Sequence, residues 1–212
     1  MRPPDCVACG LPVLELVGQS ATLPPYLIDA GSPPADTAGT WHLSCLRSDP
    51  VALVWAAALE RSYVDVRQYV LLARTSDWSV LRNPRSGEVL AVGHQGGMLP
   101  LHGAGPASRT SDGSLAYPVR EPLYWLEWDE PVIAAIQDRL RRNGFMPVLE
   151  IAAALGMDHR LSHPDVLAEA SLRWDDELAP EWRPTVIGAA VDYAVHLPEE
   201  LAGYYATASR LN

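Results

Sequence analysis

Two short segments, far apart in the chain, contain all three of its cysteines and constrain its folding more than any other feature. The first is residues 6–9 (CVAC) and the second is residues 42–45 (HLSC), so each places two potential metal ligands across a two-residue gap. A tight turn with this spacing points both ligand atoms at one tetrahedral centre, and Gly10 gives the first turn access to positive φ. The 32 residues between Cys9 and His42 leave room for a hairpin and a proline-rich loop.

Three thiolates and one imidazole fill the four positions of a tetrahedral zinc ion and leave no position open, which is the pattern of structural zinc sites. A catalytic zinc of the deaminase type would instead combine H-x-E with P-C-x-x-C, and neither motif is present. The sequence therefore predicts one structural zinc ion, whose ligands are Cys6, Cys9, His42 and Cys45.

This ligand pattern resembles the treble-clef group of zinc modules, and the first zinc site of LIM domains in particular. The residues that carry the resemblance are 6–10 (CVACG) and 41–45 (WHLSC), in which Trp41 is the aromatic residue that precedes the histidine in such modules. The resemblance covers residues 5–47. The loop between the ligand pairs is longer than in LIM domains and no second Cys/His set follows, so the resemblance implies zinc ligation and says nothing about partners.

The remaining sequence indicates an α+β fold. Ser48 or Asp49 caps a predicted helix at 51–62, which Pro50 begins. Residues 11–18 and 67–74 read as strands, and residues 78–93 form the clearest hairpin. An edge strand is expected near 98–103. After residue 127, helices are predicted at 130–143, from Pro147, from Pro164, at 184–197 and after Pro198. The predicted architecture is an N-terminal, treble-clef-like zinc knuckle, a small antiparallel sheet and a helical C-terminal region.

Three segments follow from this pattern, and we expect them to pack as one compact unit. They are a zinc-binding module at 1–47, a helix with an antiparallel sheet at 48–120, and a helical region at 121–212. The apolar stretch at 123–128 (LYWLEW), beside the last boundary, favours packing between the parts.

Charge and hydropathy narrow the function classes. The formal net charge is −10 and every basic side chain is arginine, a composition that points to a GC-rich bacterial genome. A negative chain repels phosphate backbones, so nucleic-acid binding is disfavoured. No apolar run approaches the roughly 20 residues that span a bilayer, and the N-terminus lacks the apolar segment of a signal peptide. The expected location is the cytoplasm, with no membrane partner.

Several other residues are candidates for chemistry or recognition. The weak catalytic candidates are four histidines, His94 and His102 in a glycine-rich stretch and His159 and His163 beside aspartates, although loops and helix caps explain the same residues. An acidic stretch between two tryptophans could bind a basic protein. The alternative, which is favoured, is a solvated acidic loop whose tryptophans belong to the core. Its residues are Trp174, Asp175, Asp176, Glu177 and Trp182.

Two hypotheses of different class result. The first is an acidic, zinc-stabilised bacterial protein that acts by binding another protein, as an antitoxin, an immunity protein or an accessory regulator does. The alternative is a small hydrolase or tailoring enzyme with a His/carboxylate site between the sheet and the helices. A zinc-dependent transcription factor ranks last, because the chain is acidic.

Overall fold

A computed structural model of the protein describes residues 3–25, 35–101, 107–109, 113–122, 130–168, 170–174 and 189–208. Within these ranges the strands form three sheets, and every strand pairing is antiparallel. Helices and sheets alternate along the chain, so the α+β expectation is confirmed at that level.

The N-terminal part is built on a two-stranded sheet and two helices. Strands β1 (Ser20–Leu23) and β2 (Gly39–His42) pair, and β2 runs directly into helix α1 (Leu43–Arg47). Helix α2 (Val51–Arg61) follows, and the Asp49 carboxylate accepts a hydrogen bond from the Val51 N–H at 2.9 Å, as the capping signal predicts. The strand expected at 11–18 does not form; residue 12 makes only an isolated bridge to residue 5.

A four-stranded meander comes next. Its strands are β3 (Val70–Arg74), β4 (Trp78–Arg82), β5 (Val89–Gly93) and β6 (Met98–Pro100), in that spatial order. The predicted hairpin at 78–93 is thus β4–β5. Its turn is held by the Asn83 side-chain oxygen, which accepts hydrogen bonds from the backbone N–H groups of Arg85 and Ser86. A π-helical turn, Ser62–Val66, links α2 to β3.

The C-terminal half contains a second, five-stranded sheet, in the order β7–β8–β11–β10–β9. The strands are β7 (Ser108–Arg109), β8 (Leu115–Pro122), β9 (Phe145–Pro147), β10 (Ser171–Trp174) and β11 (Ala189–Leu197). The helices are α3 (Pro131–Asn143), α4 (Val148–Ala154), α5 (Pro164–Leu167) and α6 (Glu199–Ala208).

The expectation of a purely helical C-terminal region is therefore wrong in part. Helices are present at 131–143, 148–154 and 199–208, but the helix expected at 184–197 is replaced by β11 over its described residues. The side chains of Val191, Tyr193, Val195 and Leu197 are buried at alternate positions of β11, which is the period of a strand. Alanines in this stretch suggested a helix, whereas the β-branched and aromatic residues fit the sheet.

One hydrophobic core joins the two larger sheets. Strand β5 contributes Val89 and Ala91, strand β8 contributes Tyr117, and helix α3 contributes Ile133 and Ile136 from its inner face. A second, smaller cluster fills the N-terminal part; it consists of Cys6, Val13, Leu23, Trp41, Leu43, Cys45, Leu46, Ala52 and Trp55. The potential metal ligands are thus part of a small core of their own.

Helix length bears on membrane association. Within the described ranges, no helix combines the length and the apolar character needed to cross a bilayer.

Candidate metal centre

The first ligand pair lies on a tight turn. The Cys6 carbonyl accepts a hydrogen bond from the Gly10 N–H at 2.8 Å, and the Cys6 N–H donates to the Leu11 carbonyl at 2.8 Å. Gly10 has φ +69°, a conformation that favours glycine because a Cβ atom is strained there. The turn brings both sulfurs of the CVAC segment to the same side.

The second pair lies where β2 becomes α1. His42 is the last residue of β2, and Cys45 lies in the first turn of α1. The Val7 N–H donates to the Thr40 carbonyl at 3.0 Å, so the CVAC turn is fastened to β2 beside the second pair. Strands β1 and β2 pair, and the Leu43 N–H donates to the Gln19 carbonyl at 2.8 Å, so the second ligand pair is held against the chain that follows the first.

The four ligand atoms converge. The sulfurs of Cys6, Cys9 and Cys45 and a ring nitrogen of His42 all lie within 4.8 Å of one another. The His42 Nδ1 atom is 3.5 Å from the Cys9 sulfur and 3.9 Å from the Cys45 sulfur. The three cysteines are free thiols and form no disulfide. This cluster could hold a metal ion.

The imidazole of His42 is oriented for ligation through Nδ1. Its Nε2 atom lies 2.9 Å from the Pro12 carbonyl oxygen, so Nε2 carries the proton and donates it to that oxygen. Nδ1 is then left unprotonated and faces the three sulfurs. Burial lowers the pKa of His42, which favours the neutral ring that a metal requires. A backbone carbonyl that fixes the far nitrogen is a common second partner of metal-binding histidines.

The backbone favours a thiolate at Cys6. Burial by itself would raise the pKa of this thiol, but N–H groups of His42, Cys9 and Ala8 directed at the sulfur together lower the pKa. The His42 N–H lies 3.5 Å from the Cys6 sulfur. Hydrogen bonds of this kind stabilise a negative sulfur.

At Cys45 the balance is reversed. Burial and then the nearby charges of Cys6 and Cys9 raise the pKa of Cys45 to about 12. Three thiolates cannot share this space without a compensating cation, since each repels the others. A bound divalent cation would supply that compensation. The electrostatics and the convergence of the four ligand atoms therefore both favour a cation at the centre of the cluster.

The histidines proposed as catalytic do not gather into one site among the described residues. His94 bridges structural groups: Nδ1 lies 2.9 Å from the Ser76 carbonyl oxygen and Nε2 lies 3.0 Å from the Ser79 hydroxyl. That hydroxyl also donates to the Glu60 carboxylate at 2.6 Å. Ser79 is fully buried, so this Ser–His–Glu arrangement offers no nucleophile to a substrate.

The other three histidines are dispersed. His159 is exposed, on a 3-10 turn, 3.7 Å from the carboxylate of its neighbour Asp158. His163 lies past that turn, directly before α5, so the two are not presented on one helix face. His102 lies outside the described residues. The expectation that α5 begins at Pro164 is confirmed, but the helix ends at Leu167.

The partner-binding candidates are described only in part. The backbone of Trp174 ends β10, while Asp175, Asp176, Glu177 and Trp182 lie outside the described residues. The role proposed for this acidic stretch therefore stays a prediction.

The glycine-rich stretch around His94 has a packing role. Gly96 has φ +89°, and a Cβ atom built there would lie 2.8 Å from the Leu46 side chain. The turn between β5 and β6 thus allows α1 to approach the four-stranded sheet closely. The signal for this contact in the sequence is the pair Gly96–Gly97, since consecutive glycines often mark a close approach of two backbones or elements.

A cavity that sequence reasoning missed is called the junction pocket here. It has a volume of about 340 Å³ and lies where the N-terminal part, strand β6 and strand β11 meet. Arg47, His163 and His196 are among the residues that line it. His196 was hidden because its segment was predicted to be a helix; the alternating pattern of β11 was the signal that could have placed it.

Comparisons of the chain with protein-family models, with curated proteins and with solved structures yield no match.

Proposed function

We propose that the Cys6, Cys9, His42 and Cys45 cluster holds a structural zinc ion. Tetrahedral zinc with bonds of about 2.3 Å to sulfur and about 2.0–2.1 Å to nitrogen separates a sulfur from a nitrogen ligand by about 3.6 Å. The two sulfur–nitrogen distances of 3.5 and 3.9 Å bracket that value. Three soft sulfurs with one imidazole favour zinc over magnesium or calcium, which prefer oxygen ligands.

The proposed role is structural because the site is closed. Four protein donors complete the tetrahedron and leave no position for a reacting water. The side chains of Cys6, His42 and Cys45 are 2%, 1% and 8% exposed, so a substrate has little access to the ion. The treble-clef resemblance is consistent with this role, since such modules use zinc to fasten a knuckle to a helix.

We further propose that the zinc-stabilised chain acts by binding another protein, and one observation carries this proposal. Strand β3 stands at one edge of the four-stranded sheet, and three consecutive apolar residues on it are exposed: Val70 at 51%, Leu71 at 41% and Leu72 at 43%. Val66, four residues before Val70, is 77% exposed. Long apolar edge strands are normally shielded, because their open backbone groups pair with other chains.

The occupant proposed for this edge is an extended segment of a partner protein that adds a strand beside β3. Main-chain hydrogen bonds would supply affinity, and the apolar side chains of β3 would supply contact area. The antitoxin, immunity-protein and accessory-regulator classes all fit such an interaction.

The hydrolase alternative has weaker support. It requires histidines and a carboxylate around one accessible cavity, whereas His94 is tied to a buried serine and His159 is on the surface. Among the residues that line the junction pocket and are described, there is no aspartate or glutamate to pair with His163.

A binding experiment tests the protein-binding role. Tagged protein is used to retain partners from extracts of the source cell, in parallel with Leu72→Lys and with Leu53→Lys as a control. Leu53 is 62% exposed on α2, so its substitution adds the same charge away from the β3 edge. We expect a partner that is retained by the parent and by Leu53→Lys and lost with Leu72→Lys. A partner retained equally by all three proteins would refute the β3 edge as its binding site, and retention of none would count against the role.

A further inference from the structure

The junction pocket is assembled from separate parts of the chain. Residues 17–20 and helix α1 come from the N-terminal part, and Trp78 and residues 97–99 come from the four-stranded sheet and its turn. His163 precedes α5, and residues 193–198 come from β11 and the residue after it. At about 340 Å³ it falls at the small end of the range of ligand cavities.

Hydrogen bonds between distant segments hold the walls in place. The buried Gln19 side-chain oxygen accepts from the Ser162 N–H at 2.9 Å and from the His163 N–H at 3.3 Å. The Tyr193 hydroxyl accepts from the Val17 N–H at 2.7 Å. These three hydrogen bonds join residues more than a hundred positions apart in sequence. The protein's own contacts therefore hold the walls of the pocket together.

The interior of the pocket is apolar. Leu43, Leu99, Val195 and Leu197 contribute buried side chains, and Trp78 contributes a half-buried aromatic ring. A ligand that enters would place a hydrocarbon or aromatic portion against these groups.

The rim of the pocket carries one guanidinium and two imidazoles. The side chains of Arg47, His163 and His196 are exposed there. No aspartate or glutamate is among the described residues that line the pocket, although acidic residues outnumber basic ones by 26 to 16 in the chain. Partial burial, then the charges of Arg47 and His196, lower the pKa of His163, so the neutral imidazole is favoured there and Arg47 is the permanent cation of the rim.

Arg47 differs from three arginines of the protein that form ion pairs. Arg74 pairs with Glu60, Arg139 with Glu150 and Arg141 with Asp138. Among the described residues, the Arg47 guanidinium has no carboxylate partner and no hydrogen-bond acceptor. A cation without a partner beside an apolar cavity favours a ligand that is negative at one end and apolar at the other.

We propose that the junction pocket binds a small organic carboxylate with an apolar body, with the carboxylate at Arg47 and the rim histidines and the body against Leu99 and Val195. This inference goes beyond the protein-binding role and does not depend on it, because the pocket and strand β3 share no residue.

Isothermal titration calorimetry with three probes tests the proposal. Octanoate has both features of the proposed ligand, 1-octanol keeps the chain without the charge, and butyrate keeps the charge with four fewer methylene groups. We expect octanoate to bind at concentrations below its micelle threshold. Butyrate should bind at least about tenfold more weakly, because each buried methylene contributes about 0.8 kcal/mol.

The protein variants are Arg47→Gln, His196→Gln and, as a matched control, Arg85→Gln on the exposed β4–β5 turn. Loss of a charge-assisted hydrogen bond should weaken octanoate binding about tenfold in Arg47→Gln. His196→Gln should also weaken it, and this variant decides the matter if Arg47→Gln does not fold. Arg85→Gln should bind octanoate as the parent does.

Three results would overturn the proposal. They are no binding of octanoate to the parent, equal octanoate affinity in the parent and the rim variants, or 1-octanol binding as tight as that of octanoate. The last result would mean that the cavity accepts apolar molecules without a role for Arg47 or the rim histidines.

Discussion

Replacing Cys45 by serine removes one sulfur of the proposed zinc site while changing little volume in the small N-terminal core. Cys45 is 8% exposed and lies in α1, between the neighbours Ser44 and Leu46 that fasten this helix to the rest of the protein. If zinc is present at a thousandfold excess over its dissociation constant, binding stabilises the folded parent by about 4 kcal/mol. We expect Cys45→Ser to lose most of this contribution to the free energy of unfolding.

The measurement is denaturant unfolding of the parent and the variant, each with added zinc and with a chelator. Chelation should lower the free energy of unfolding of the parent by several kcal/mol and should change that of Cys45→Ser far less. Near-ultraviolet circular dichroism reports on the affected region, because Trp41 and Trp55 are buried in the same cluster.

Leu46→Ala provides the control for simple core damage. Leu46 is completely buried beside Cys45, and its truncation should cost about 2–5 kcal/mol of unfolding free energy. That loss should be similar with zinc and with chelator, since Leu46 is not a ligand. If chelation destabilises the parent and Cys45→Ser equally, or affects neither, the cysteine is not part of a stabilising metal site.

Further predictions concern parts of the fold outside the metal cluster. Gly144→Ala should lower the free energy of unfolding by about 1 kcal/mol, because Gly144 ends α3 at φ +76°. Gly203→Ala should raise the free energy of unfolding by up to about 1 kcal/mol, because Gly203 lies within α6 and has open space at its Cβ position. Urea unfolding measures both changes. Equal effects of the two substitutions would contradict the backbone explanation. Ser79→Ala should cost about 1–3 kcal/mol in the same assay, because Glu60 and His94 lose their shared partner, and a neutral effect would show that the cluster contributes nothing to stability. Tyr193→Phe leaves the Val17 N–H without its acceptor and should cost about 1–3 kcal/mol, with faster hydrogen exchange at that amide; unchanged exchange would refute the bond.

Features that depend on neighbours in the sequence could be predicted, and those that depend on distant pairing could not. The two-residue ligand gaps anticipated the convergence of Cys6, Cys9, His42 and Cys45, since both turns are local and a metal needs that spacing. The turn residues between β4 and β5 predicted that hairpin, and Gly144, which ends α3, predicted the end of that helix.

Strand β11 shows where local reasoning fails. Its partner strands are β10 and β8, and β8 lies far upstream in the sequence. An alanine-containing segment such as 189–197 suits a helix unless a sheet is available to pair with it. Because β11 was predicted as a helix, His196 was not placed beside Arg47 and His163. The junction pocket joins residues from six separate stretches of the chain, so no single stretch of sequence could reveal it.

X-ray absorption at the zinc edge is the most direct test of the central claim, that Cys6, Cys9, His42 and Cys45 close around one zinc ion. Protein purified without added metal should contain one zinc per chain, with three sulfur neighbours at about 2.3 Å and one nitrogen at about 2.0–2.1 Å. Absence of zinc from the purified protein, or an oxygen ligand in place of one of the four protein donors, would contradict the account.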